Sequence, residues 1–201
     1  MTLMEKANLR VVLVDDAPAD GSSWSEVTKL LHRAGVTVTL AQNPVTSLAD
    51  DVAQTRHVLA QQPGPVILAG HSFGGTVISE AGADPKVAAL VYVAASAPDV
   101  GEDYVQLAES FPASPDSDSG DFAQARTTVA AWRSRPTWYA VSEPDRTIAP
   151  DLQRFMAERM GAMTIEIDAA HQAQEVAQLI VDAVDAVRSS DAPDVTNLPT
   201  L

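Results

Sequence analysis

The sequence has no cysteine, which excludes disulfides, thiolate metal sites and a cysteine nucleophile and leaves packing as the source of stability. Positive charge is also scarce. Against 27 Asp plus Glu stand only 13 Lys plus Arg, a formal net charge of -14 at pH 7. A surface this acidic repels phosphate backbones and anionic headgroups, so neither nucleic acid nor a membrane surface is expected as a partner. Long apolar runs are missing too. The longest nearly apolar stretch, residues 87–95, is about half of the ~20 residues a membrane-crossing helix needs. Residues 1–10 carry Glu5, Lys6 and Arg10 and lack the apolar core of a secretory signal. The expectation is a soluble cytoplasmic protein with no internal repeat.

What is present is ordinary globular material, with 46% hydrophobic and 20% charged residues in a length of 201 that suits a single domain, residues 1–201. Short apolar runs at 11–14, 36–41, 66–69, 87–94, 137–141 and 163–167 read as strands. They are continuous rather than alternating, as strands buried on both faces require, so the sheet is expected to be mostly parallel. Helical periodicity fills the intervals at 23–34, 47–61, 74–81, 149–160 and 174–188. This alternation implies right-handed crossovers and an α/β architecture with helices on both faces of the sheet.

Several helix ends are marked. Ser23 and Glu26 have capping-box spacing, and Gly35 follows the first helix as a stop. Pro150 and Asp151 suit the first turn of the fourth helix, which Gly161 closes. Residues 98–120 are irregular, and 110–121 in particular read as a solvated loop, with a helix expected near 122–132. Residues 189–201 read as a loose tail beyond a core at about 9–188.

The strongest chemical signal is Gly70, His71, Ser72, Phe73, Gly74, a Gly-x-Ser-x-Gly sequence between a strand and a helix. In that setting it reads as a nucleophile elbow. The turn is so tight that glycine is needed on either side of the nucleophile, and Gly75 relieves the same crowding. A glycine-rich turn with an incidental serine is the plainer reading. A serine hydroxyl needs a base, and a histidine held by a carboxylate is the usual one. His32 and His57 lie inside helices beside Arg33 and Arg56, and His71 adjoins the serine on a turn where neighbours point apart. His171 remains, four residues after the last strand and just before the last helix. In this architecture the acid precedes the histidine, which directs attention to the end of the fifth strand. Asp145 is chosen there. Glu143 and Asp99 stay as alternatives, whereas Asp168 is close to His171 in the chain. Any of these could equally be a solvated loop carboxylate.

With these residues in view, the chain resembles the α/β-hydrolase fold, and within it small cofactor-free bacterial members related to the plant methylesterase and hydroxynitrile lyase group. The matching stretches are ADGSSW (19–24), QNPVTSLADD (42–51), GHSFGG (70–75), DPKVAALVYVAA (84–95) and DRTIAPDLQRFMAERM (145–160). The resemblance covers most of residues 9–188. It implies a six-stranded sheet of order 2-1-3-4-5-6, the triad Ser72, Asp145 and His171, a small ester or related acyl substrate, and no cofactor or metal. By position, it assigns the oxyanion hole to the amides of Ala17 and Phe73.

The chain departs from the family pattern at three places. Where relatives carry His-Gly after the first strand, this chain has Asp15 and Asp16, followed by Ala17 and Pro18. Asp15, Asp16, Pro18 and His71 are therefore candidate pocket residues. A carboxylate about 5 Å from a developing oxyanion, at an effective dielectric near 20, opposes it by roughly 3 kcal/mol. One oxyanion-hole donor is worth about 2.7 to 4 kcal/mol, so an inward Asp would cancel it, whereas one turned to water or paired would leave the hole intact. The insertion at about 98–132 is a reduced cap, and the loop from His171 to the last helix is short. These departures keep two rivals to an esterase: a catalytically silent binding or scaffold protein, and a lyase or C–C bond hydrolase using the same triad.

Overall fold

Six strands form one sheet in the order β2-β1-β3-β4-β5-β6, with every neighbouring pair parallel. The computed structural model describes residues 9–15, 23–112, 115, 124–168 and 172–189. The strands are β1 (Arg10–Val14), β2 (Val38–Ala41), β3 (Val66–Ser72), β4 (Val87–Ala95), β5 (Thr137–Ser142) and β6 (Met163–Ile167). The helices are α1 (Ser25–Arg33), α2 (Leu48–Ala60), α3 (Gly74–Ala81), α4 (Tyr104–Ala108), α5 (Pro150–Met160) and α6 (Gln172–Ser189). No helix among the described residues is long and apolar enough to cross a membrane.

The continuous apolar runs of the central strands have the cause expected of a two-faced sheet. Val12, Val14, Leu68, Leu90, Tyr92 and Tyr139 bury themselves against α2, α3 and α5. Their strand neighbours Val11, Leu13, Ile67, Ala69, Val91 and Trp138 bury themselves against α1 and α6. A parallel sheet with helices on both faces needs apolar side chains at both phases of the pleat. At the edge, β2 and β6 are less buried, and Leu40 and Met163 are exposed.

Several helix ends follow the expected local chemistry, and one does not. Ser47 accepts from the Asp50 amide to cap α2, Pro150 opens α5, and Gly161, at φ +62, closes it. Gly35 takes φ +76 just beyond α1. The capping box expected at Ser23 and Glu26 does not form. Trp24 is the N-cap without a side-chain bond, because the Ser23 hydroxyl donates instead to Asp15 and Glu26 accepts from Lys29.

The insertion after β4 also differs from expectation. It contains a short helix, α4, capped by Asp103 accepting from the Gln106 amide at 2.9 Å. The helix expected near 122–132 does not form over its described residues, which hold 3-10 conformation at Gln124 and a 3-10 turn at Ala131–Arg133 before β5. Other partners take the backbone there. Glu80, 6% exposed on α3, accepts from the Thr128 amide and hydroxyl and from the Val129 amide. Gly101 and Thr127 are joined through the Gly101 amide, and the Thr127 amide donates to Glu102. Residues 113–114 and 116–123, most of the expected solvated loop, and the tail from 190 lie outside the described residues.

The base of the insertion is tied to α5. Arg159 donates to both carboxylate oxygens of Glu102 at 3.0 and 2.9 Å and to the Ala97 carbonyl at 2.9 Å. Its guanidinium also lies over the Trp132 and Phe155 rings, 5.4 and 5.3 Å from their centroids.

Candidate active site

β3 runs directly into α3 with Phe73 as the only residue between them. At the end of β3, Ser72 takes φ +53, a left-handed conformation that costs a non-glycine residue about 1–3 kcal/mol. The turn persists because backbone closes on it from three sides. A Cβ at Gly70 would stand 2.5 Å from the Gly74 carbonyl oxygen, one at Gly74 2.7 Å from that of Val14, and one at Gly75 2.2 Å from that of Ser96. The Ser72 carbonyl accepts from the Ser96 amide at 3.0 Å, and the Ser96 and Thr76 hydroxyls meet at 2.7 Å. The elbow is therefore clasped to the end of β4. Partly buried at the carboxyl edge of the sheet, Ser72 has the positive N-terminal end of α3 behind it.

The clasp has its own support. The Tyr139 hydroxyl donates to the Ala95 carbonyl and accepts from the Ala95 amide at 3.2 Å. Its ring stacks on Tyr92, whose hydroxyl meets that of Ser79 at 2.9 Å. Burial pushes both phenols up, so they stay neutral at physiological pH. We expect Gly75→Ala to destabilise the fold by roughly 3 kcal/mol, since the added methyl meets backbone and a neighbouring Cβ rather than a flexible side chain. Denaturant unfolding measures this; an unchanged midpoint would contradict the close approach.

Asp145 stands in the turn after β5, where three donors fix its carboxylate. The amides of Thr147 and Ile148 donate to Oδ1 at 2.7 and 3.0 Å, and Gln153 Nε2 donates to Oδ2 at 2.8 Å. Gln153 is fully buried on α5, accepts from the Ser142 amide at 2.9 Å and donates to the Ile148 carbonyl at 2.9 Å. One side chain thus joins the end of β5, the turn and the carboxylate. Burial, and then the charge of Asp145, pushes the Tyr104 phenol up, while its hydroxyl donates to the Thr147 carbonyl at 3.3 Å. Replacing Gln153 by Leu should cost about 3 kcal/mol of stability, because the Ser142 amide and Ile148 carbonyl lose a buried partner. A loss below about 1 kcal/mol in chemical unfolding would contradict that role.

The alternative acids are engaged elsewhere. Asp99 accepts from Arg133, whose guanidinium holds its carboxyl below the usual range, and exposed Glu143 lies 3.5 Å from Arg154. His32 and His57 lie on helices, as expected, and are exposed there.

Asp15 and His71 come together on the opposite face of the sheet from Leu68 and Gly70. His71 Nδ1 lies 3.1 Å from Asp15 Oδ1, while the Ser23 hydroxyl donates to Oδ2. Trp24 meets the His71 ring edge-on, with centroids 6.2 Å apart at 83°. This group borders a cavity of about 550 Å3 whose walls include Val27, Val93, Gln172 and Val176. A second, more open depression of about 450 Å3 lies beside Asp145, walled by Pro112, Ala149 and Arg154 among others. The remaining sequence candidates, Asp16, Ala17, Pro18 and His171, lie outside the described residues.

Gln153, Tyr104 and Ser23 contribute without being candidates by sequence. Nothing in the pattern marks Gln153 beyond its place beside Leu152 on α5. Ser23 has the spacing of a cap instead.

Comparison with known proteins agrees with this architecture. The model of the alpha/beta hydrolase family matches residues 11–123, more than half of the chain, and the protein belongs to that family. Among solved structures, polyneuridine aldehyde esterase superposes with a TM-score of 0.69 at 20% identity, covering 88% of this chain and 99% of its own. A pyrethroid hydrolase from Sphingobium faniae JZ-2 gives 0.66 at 20% identity, covering 89% of this chain and 98% of its own. An extracellular α/β-hydrolase from a Paenibacillus species gives 0.63 at 18% identity, covering 87% and 98%. At such identities the likeness is one of fold. No curated protein matches the sequence.

Proposed function

We propose that the protein is a serine hydrolase acting on small carboxylic esters. The observation that carries this reading is Ser72 at φ +53 in a glycine-walled elbow, at the same sheet edge as a carboxylate fixed by three donors. β3 and β5 are separated by β4 alone, so the two strand ends stand about 10 Å apart, a gap one imidazole can bridge. In the chain His171 comes four residues after the end of β6, and it is the residue assigned to the gap.

In this mechanism Ser72 Oγ attacks the ester carbonyl while His171 takes its proton. Asp145 Oδ2 keeps acceptor capacity beside the Gln153 bond, orients the imidazole and stabilises its cation. The Ala17 and Phe73 amides hold the oxyanion as the carbonyl carbon becomes tetrahedral. Collapse expels the alcohol with the proton from His171, and water then attacks the acyl-enzyme by the same route in reverse. Family membership and the esterase and hydrolase neighbours support the assignment.

Turnover of p-nitrophenyl acetate and butyrate tests it. Saturable p-nitrophenolate release well above the buffer rate is expected, and release equal to buffer for both esters would overturn the reading.

A further inference from the structure

We infer that His71 is a positioning residue: it holds the Asp15 carboxylate on the α1 side of the sheet, away from the oxyanion position beside Ser72. The inference rests on the serine-hydrolase reading and deepens it, because it accounts for how an acidic residue is tolerated where β1 enters the oxyanion loop.

The placement follows from the pleat. Val11 and Leu13 of β1 face α1 and α6, and Asp15 continues that phase. In β3, Ile67 and Ala69 do the same, and His71 continues it. The β1–β3 register pairs Val14 with Gly70, so Asp15 and His71 are the next cross-strand pair. Their 3.1 Å contact is what this register produces when both residues keep phase. The Ser23 hydroxyl, at the entrance to α1, takes the other carboxylate oxygen. The Asp15 side chain is only 13% exposed, so solvent screens it weakly.

Ser72 belongs to the other phase of β3, with Leu68 and Gly70, and its positive φ lifts it to the sheet edge. A carboxylate swung to that side, about 5 Å from a developing oxyanion, would slow the reaction roughly 100-fold at an effective dielectric near 20. His71 and Ser23 prevent the swing. The described walls of the adjoining cavity add one other charged group, Glu26 of α1, which repels Asp15 and cannot replace His71. The capping box fails at Ser23 for the same reason.

The test is a double-mutant cycle read in p-nitrophenyl acetate kinetics and in thermal unfolding. His71→Phe should lower kcat about 10-fold or more with KM nearly unchanged, because the damage falls on the transition state alone. His71→Phe with Asp15→Asn should recover kcat to within about 3-fold of the unmutated protein, since the charge to be restrained is gone. Ser23→Ala should show a smaller loss of the same kind and carries the kinetic test if His71→Phe does not fold. An unchanged kcat in a folded His71→Phe protein, or a loss that Asp15→Asn does not rescue, would overturn the inference and leave the hydrolase reading standing. No turnover by the unmutated protein would overturn the hydrolase reading, and this role with it. Strictly additive Tm shifts for Asp15→Asn and His71→Phe would overturn the pairing itself, whatever the protein hydrolyses.

Discussion

Ser72→Ala is expected to lower kcat for p-nitrophenyl acetate by roughly 10^6, with the fold intact. In the proposed mechanism the size follows from losing the nucleophile outright. The remaining groups can still bind and polarise an ester, which leaves about 10^3 to 10^4 of rate enhancement over water. The substitution is structurally mild. Ser72 is tied to the elbow through its main-chain carbonyl, which accepts from Ser96, and the crowding around it concerns the glycines. Unfolding should therefore shift by less than about 1 kcal/mol, and a large loss of stability with little loss of rate would mean that Ser72 is a structural residue.

Asp145→Asn should cost about 10^4 in kcat, the effect, in the proposed triad, of an amide that presents the imidazole with the wrong tautomer. Here a further difficulty arises from the surroundings. Thr147 and Ile148 amides and Gln153 Nε2 all donate toward this side chain, so whichever way the amide group turns, its NH2 faces a donor. The strain is relieved only if Gln153 or the turn moves. The rate loss should accordingly be joined by a stability loss of about 1–3 kcal/mol. Asp145→Asn with an unaltered kcat would return the acid's role to Glu143 or Asp99. Those residues offer less, since Glu143 is exposed and Asp99 already pairs with Arg133.

The sheet was legible because its signal is dense. All six apolar runs became strands, with ends shifted by a few residues at most, and both phases of each central run found a helix layer. Gly70, Gly74 and Gly75 were legible as an elbow because a tight strand-to-helix turn leaves no room for a Cβ at any of them. Asp145 could be located only by chain order; its fixing by Gln153 depends on how α5 settles against β5, which no local pattern encodes.

The errors have a common cause in distant partners. Ser23 had the spacing of a cap, but Asp15, eight residues earlier, took its hydroxyl. A helix was expected near 122–132, but Glu80, 48 residues from Thr128, holds the amides there. With five residues, α4 is too short for periodicity to reveal. The Asp15–His71 contact spans 56 residues and follows from the β1–β3 register, so Asp15 could be noticed in sequence while its contact with His71 could not.

The central claim is that Ser72 is a working nucleophile, and labelling with a fluorophosphonate probe followed by intact-mass and peptide analysis tests it without knowledge of the natural substrate. The account predicts a single adduct mapped to Ser72, absent from Ser72→Ala and slowed in Asp145→Asn. A folded protein that takes no label at Ser72, or labels equally well as Ser72→Ala, would contradict it.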